Sequence, residues 1–225
     1  MVRFERRGNV FVLRLDAGEN RFTPAVLHAL REGLEQVESA GSPAALVTTG
    51  TGKFYSNGLD LDHMGSLGSG GASDYLTEVL AVLARILTFP ATTVAAVNGH
   101  AFGAGALMAI AHDFQVMRAD RGFFCMPEVD MRVPLHPGMT ALLQARLPVR
   151  TVHRVIATGK RFGGEEAVAA GIVDRAVAED EVLPAAVAMA EELASKADPA
   201  LTTLKRGMYP QVLEAVAKRL DSLSL

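Results

Sequence analysis

Apolar residues recur along this chain at two spacings, and the switches between them mark out its elements. Val10 to Leu15 alternates, with β-branched residues at intervals, and predicts a strand; Arg3 to Val10 predicts an earlier strand joined to it through Gly8-Asn9. The spacing then becomes helical. Thr23 is placed to cap a helix with Pro24 at its first position, and Val26, Leu27, Leu30, Leu34 and Val37 line one face until Ser39-Ala40-Gly41. Ala44 to Thr48 predicts a short buried strand and Thr49 to Asp60 a loop. Gly65 to Ser73, rich in Gly and Ser, predicts a mobile connection between that loop and a helix over Asp74 to Leu87, which Pro90 ends. Another strand, Val94 to Val97, leads into a small-residue turn and an Ala/Met/Ile helix.

The second half reads as mostly helical. Helices are predicted over Met139 to Leu147 and Val149 to Thr158, and a short one near Gly164 to Ala170 is closed by Gly171. Val182 to Ala197 is amphipathic and begins beside Glu179-Asp180-Glu181, acids that suit a helix N-terminus. The tail from Pro199 to Leu220 reads as helical with a kink at Pro210. Strand and helix alternate through the first part, which predicts an α/β fold of repeated strand and helix units.

Composition narrows the function classes. With 225 residues, 49% of them hydrophobic, the chain is long enough for a sizeable core. A net charge of −3 without a basic block argues against nucleic acid as a partner. Cys125 is the sole cysteine, so no intrachain disulfide, CxxC pair or Cys/His zinc set can form, and no metal is expected. The start, MVRFERRGNVFVLRL, lacks an apolar secretory segment, and the longest apolar runs are interrupted well short of a membrane span. A soluble, cytoplasmic protein is expected. The last residues, Leu-Ser-Leu, differ from the peroxisomal Ser-Lys-Leu address.

Candidate chemistry gathers between Asn98 and Asp130. Gly99, Gly103 and Gly105 form a turn in which backbone can approach a ligand or a second strand, because glycine has no Cβ. The amides at the start of the helix that follows lack intrahelical partners and sit at its positive end, so they suit a developing anion. Downstream, Phe123-Phe124-Cys125-Met126-Pro127 delivers Glu128 from apolar surroundings. An anion-stabilising turn followed by a carboxylate in a greasy segment is what enolate chemistry requires.

Four segments together resemble the enoyl-CoA hydratase/isomerase (crotonase) superfamily. They are Phe54-Tyr55-Ser56-Asn57-Gly58-Leu59-Asp60-Leu61, Ala95 to Gly105, Pro127-Glu128-Val129, and Thr158-Gly159 through Gly171-Ile172-Val173. The resemblance implies a spiral of repeated ββα units over residues 1–175. A helical region follows at 176–225, either part of the same structural domain or an oligomerisation segment. It implies a homotrimer or dimer of trimers acting on an acyl-CoA thioester, with coenzyme A arriving as part of the substrate and no separate cofactor. Carried over by position, the backbone N–H groups of Leu59 and Ala104 would form an oxyanion hole and Glu128 would be the catalytic carboxylate. Leu107 departs from the hydratases, which have a second glutamate at that position to help handle water. The single-glutamate pattern and the Ser-x-Gly-Leu-Asp-Leu loop are most like the Δ3,Δ2-enoyl-CoA isomerase branch, which moves a double bond from position 3 to position 2. Another crotonase-type enzyme (hydratase, thioester hydrolase or decarboxylase) and a non-catalytic acyl-CoA-binding protein stay open.

Other residues carry weaker signals. Arg21 and Lys53 are candidates for the CoA phosphates and Phe22 for the border of the adenine site, while Asp60 is expected to orient its loop by accepting backbone N–H bonds. Asp130 rivals Glu128 as the base, since residues i and i+2 share one face of a strand. His100 and His112 suggest packed or capping roles, and no metal-ligand spacing links them. His136 is a candidate for the acyl pocket wall. Ser56 lacks a nucleophile elbow, and the glycine spacing does not fit a dinucleotide fingerprint. Met108, Met117, Met126 and Met131 suit a core or the lining of an acyl pocket.

Overall fold

The computed structural model describes residues 2–218. Its strands are β1 (Val2–Arg7), β2 (Val10–Leu15), β3 (Ala45–Gly50), β4 (Phe54–Ser56), β5 (Thr92–Val97), β6 (His100–Phe102), β7 (Phe114–Arg118), β8 (Phe124–Cys125) and β9 (Arg175–Val177). The helices are α1 (Pro24–Ala40), α2 (Leu61–Ser66), α3 (Ser69–Leu87), α4 (Ala104–Ala111), α5 (Glu128–Met131), α6 (Pro137–Arg146), α7 (Val149–Thr158), α8 (Gly164–Ala169), α9 (Val182–Leu193), α10 (Pro199–Met208) and α11 (Pro210–Val216). The end of the tail helix expected to reach Leu220, and the terminal Leu-Ser-Leu, lie outside the described residues.

Two sheets organise these elements. The larger has the order β1-β2-β3-β5-β7-β9, antiparallel between β1 and β2 and parallel thereafter; the smaller is the parallel trio β4-β6-β8. The pairs β3-β4, β5-β6 and β7-β8 thus each lay one strand in each sheet before helix returns the chain, which is the expected spiral of ββα units. Side chains alternate across the larger sheet as its pleat requires. Leu13, Leu15, Leu46, Ala95, Val97 and Met117 face the main core, whereas Val10, Val12, Val47, Val94, Ala96 and Val116 face Val182, Ala186 and Ala190 of α9. Among the described residues no helix is long and apolar enough to cross a membrane.

Local signals act as read at several places. Thr23 Oγ1 accepts from the Val26 amide at the start of α1, Gly41 ends that helix at φ 70°, and Gly171 follows α8 at φ 68°. Several segments differ from the expectation: β6 to β9 and α5 were not foreseen, and two stretches of the first half took another form. The loop predicted over Thr49 to Asp60 contains β4, whose few residues are too short to show a period. The Gly/Ser stretch expected to be mobile is instead divided between α2 and the first turn of α3. Gly70 and Gly71 each disfavour helix by roughly 1 kcal/mol, but Ala72, Tyr75 and Leu76 in the same turns are buried against the core. The Tyr75 hydroxyl also donates to the Phe22 carbonyl and accepts from the Asp60 amide, tying α3 to two other segments.

The polar frame at the back of the molecule was not legible locally. Lys205 is only 6% exposed. Its Nζ lies 2.7 Å from Asp113 Oδ2 and donates to the Ala91 carbonyl at 3.2 Å, joining α10 to the entry of β7. Burial pushes the Lys205 pKa down, opposed by Asp113. Lys205→Met leaves a half-buried Asp113 carboxylate without this partner, and is expected to lower stability by about 3 kcal/mol, read from the urea midpoint at unchanged slope.

Candidate active site

The smaller sheet and α4 bring the two parts of the site together through close backbone contact. A methyl group placed on Gly58 would lie 2.7 Å from the Phe102 carbonyl oxygen and 2.9 Å from the Ala104 nitrogen, and one on Gly105 would lie 2.3 Å from the Ser56 carbonyl oxygen. Only glycine allows these approaches, and Gly58 adds a φ of 81° that L side chains rarely adopt. The loop bearing Leu59 is fixed from both sides. Ser56 Oγ donates to the Asn20 carbonyl and accepts from the Gly58 amide, Asn57 N–H donates to the Glu19 carbonyl, and Phe22 N–H donates to the Gly58 carbonyl. Ala104 is the first residue of α4, where amides have no intrahelical acceptor. Among the described residues neither the Leu59 nor the Ala104 amide donates to a protein acceptor.

Both residues line a cavity of about 360 Å³, together with Arg21, Asn57, Phe102, Gly103 and Glu128. Apart from His136 its other walls are apolar, with Met64, Leu76, Leu135 and Met139 among them. Among the described residues Glu128 is the one carboxylate on the lining. A methyl on Gly103 would sit 3.4 Å from Glu128 Oε1, so the acid faces the residue just before the Ala104 amide. Its Oε2 is buried without a hydrogen-bond partner among the described residues, and burial raises its pKa above the ordinary glutamate value. A carboxyl group in that condition accepts and returns a proton more readily than a solvated one.

The remaining candidates separate clearly. Glu128 opens the short helix α5 instead of ending a strand, so Asp130 does not share its face. Asp130 is directed toward Gly159, where an added methyl would lie 2.7 Å from its Oδ2, and it does not line the cavity. Phe22 is 1% exposed inside the core, so its ring offers no face to a ligand; it serves the site through its backbone. Lys53 lies outside this cavity, beside Asn98, Gly99 and Arg121, with its ammonium over the Phe54 ring. Asp60 caps α2 by accepting from the His63 amide, and Arg21 on the cavity wall is paired with Glu19 and Asp62. Leu107 is 0% exposed and packs in the core. It does not line the cavity, so it keeps water away only by filling space behind α4. Of the methionines, Met108, Met117 and Met126 are core and Met131 lines the cavity.

The histidines are accounted for by packing and hydrogen bonds. His112 Nδ1 donates to the Met108 carbonyl, leaving Nε2 to accept from Thr48 Oγ1, whose oxygen in turn accepts from Tyr55 OH. Burial lowers the His112 pKa to about 4, so the ring stays neutral in this chain of bonds. His100 is enclosed by Phe54, Phe102 and Phe123, with its pKa lowered by burial and then by Lys53, Arg121 and Arg161. His136 lines the cavity with both nitrogens engaged, accepting from Gly138 N–H and donating to the Lys218 carbonyl. Among the described residues no group of three or more His, Cys, Asp or Glu side chains is arranged to hold a metal ion. Sequence reading missed Met64, which lies beside the stretch taken for a mobile connection, and Leu76, whose predicted helix carried no sign of facing the site.

Comparison with known proteins bears on the family. The family model described as enoyl-CoA hydratase/isomerase matches residues 5–222. This chain belongs to that family. It is 37% identical over 224 residues to enoyl-CoA delta isomerase 2, peroxisomal, of Arabidopsis thaliana, covering 94% of this chain and 93% of the relative. It is 36% identical to enoyl-CoA delta isomerase 3 of the same plant, covering 100% and 98%. Among solved structures, an apo enoyl-CoA isomerase of Mycobacterium tuberculosis superposes with a TM-score of 0.87 at 26% identity, over 96% of this chain and 93% of that one.

Glu128 also makes this family member's stability depend on pH. Its folded-state pKa is raised by burial, so the stabilising protonated form is fully present below the unfolded value of about 4.3 and is lost as pH rises through the folded value. Glu128→Gln is therefore expected to raise the thermal midpoint near pH 7, with the gain shrinking to nothing below about pH 4, as calorimetry across that range would show.

Proposed function

We propose that this family member is a Δ3,Δ2-enoyl-CoA isomerase working through one carboxylate. The observation that carries the reading is the half-buried Glu128 facing the turn that bears the Ala104 amide, with no partner for its Oε2 and no second acid on the cavity wall among the described residues. The Arabidopsis isomerases, similar over nearly the whole chain, support the same reaction.

In this reading the thioester oxygen of a 3-enoyl-CoA accepts from the Leu59 and Ala104 N–H groups. The Glu128 carboxylate removes a proton from C2, and the electrons of that C–H bond move into a dienolate whose charge falls on the thioester oxygen. The two amides meet that charge where it develops, and each such donor typically contributes about 2.7 to 4 kcal/mol to the transition state. The Glu128 carboxyl group then returns the proton to C4, the double bond comes to rest between C2 and C3, and the carboxylate is regenerated. No water is consumed. A hydratase would need a second group to position water, and the position that could carry it is Leu107, buried in the core. The apolar walls suit the acyl chain, and Arg21 and Asn57 suit the polar part of the substrate.

We also read the chain as a homotrimer or dimer of trimers, with the described helices beyond residue 176, whether part of the same structural domain or an oligomerisation segment, taking part. Leu204 and Met208, 66% exposed on one stripe of α10, support that reading. We place the protein in the cytoplasm; two plant relatives are named as peroxisomal, and cell fractionation separates the two settings.

The purified protein is expected to convert 3-enoyl-CoA to 2-trans-enoyl-CoA and to hydrate crotonyl-CoA poorly; the reverse preference would overturn the reading. Glu128→Gln should lower kcat by about 10²- to 10⁴-fold. In the wild type, kcat/KM should rise with pH through a value above the ordinary glutamate range, because the base must be ionised and burial raises its pKa.

A further inference from the structure

Arg146, at the end of α6, takes no part in the reaction outlined above and does not line the cavity. Its guanidinium nevertheless makes four hydrogen bonds. Nε donates to the Ile110 carbonyl at 2.8 Å, Nη2 to the His112 carbonyl at 2.7 Å and the Asp113 carbonyl at 3.0 Å, and Nη1 to Tyr209 OH at 2.9 Å. The three carbonyls belong to the last turn of α4 and the residues just beyond it. Carbonyls there have no intrahelical partner, and a planar fork can satisfy several in one fixed geometry where an ammonium cannot.

The opposite end of α4 is Ala104. That end meets backbone with no space to spare, since a methyl on Gly105 would lie 2.3 Å from the Ser56 carbonyl oxygen. All eight residues of α4 are buried, and the helix is about 12 Å long. It is therefore held lengthwise between a backbone stop at the site and a guanidinium at the far end.

We propose that Arg146 is a positioning residue for the reaction: it keeps α4 against its stop and thereby sets where the Ala104 N–H points. The inference rests on the proposed role of that amide. Lys205 provides the comparison, because it bonds Asp113 Oδ2 and the Ala91 carbonyl close by but does not reach the carbonyls of α4.

Arg146→Met, Arg146→Lys and Lys205→Met would be compared in the full-length chain by two readouts. The first is turnover of 3-enoyl-CoA. Arg146→Met is expected to lower kcat roughly 10- to 100-fold with KM within about twofold, as a misplaced catalytic donor does, and Arg146→Lys should fall between it and the wild type. The second readout does not depend on turnover. The fraction of bound acetoacetyl-CoA held as its enolate, followed by ultraviolet absorbance, should drop in the Arg146 variants while the Kd of a saturated acyl-CoA stays the same. Lys205→Met should lose thermal stability and keep both readouts. Wild-type kcat and enolate fraction in Arg146→Lys and in folded Arg146→Met would overturn the proposal, as would a loss confined to KM, or the same losses in Lys205→Met. If Arg146→Met does not fold, Arg146→Lys decides. Should the wild type fail to isomerise 3-enoyl-CoA while the Arg146 variants still lower the enolate fraction, the isomerase reading falls and this one stands.

Discussion

The contact on which the site depends is backbone against backbone, where the first turn of α4 abuts the end of β4. Gly58 and Gly105 leave no room there for a Cβ, and the close approach brings the Leu59 loop beside the Ala104 amide at the positive end of a helix. Two amides without protein acceptors are thereby held by the packing of two segments about 45 residues apart. Side chains matter little at this junction. A side chain at Ala104 is accommodated because the donor is a main-chain N–H and the turn is set by its neighbours.

Glu128 works against stability as the glycine turn works for geometry. An unpartnered carboxylate oxygen, buried at the mouth of a four-residue helix, is unfavourable to the folded state once ionised. The same condition raises its pKa toward the range where one group can take and return a proton. Removing a second acid from the neighbourhood is part of this arrangement, because another carboxylate would add repulsion and a place to hold water. Leu107 does so from within the core, without touching the cavity.

Behind the site the fold is unusually polar for so buried a region. His112, Thr48 and Tyr55 form a neutral chain, while Arg146 and Lys205 bring two cations to the end of α4 and the entry of β7. Each polar group has a partner, so the frame adds direction where hydrophobic contacts alone would let α4 slide.

The sequence by itself determined the elements whose signals are local and repeated. These include α1 with its Thr23 cap, four strands of the larger sheet (β1, β2, β3 and β5), the glycines that end helices, and the family turn with Glu128 beyond it. It also singled out Leu107, since a departure from a motif needs no coordinates to be seen. Tertiary structure decided the rest. β4 is too short to carry a period, and Gly70 and Gly71 enter a helix because Ala72, Tyr75 and Leu76 gain more from burial than glycine loses in backbone entropy. Asp130 turns away from Glu128 because the chain there coils into α5, and Phe22 is withdrawn from any ligand by the core around it. The roles of Arg146 and Lys205 could not be read locally, because each is made by carbonyls or a carboxylate more than 30 residues away. Periodicity reports the environment of a segment, whereas an acceptor brought from another part of the chain exists only once the segments have packed.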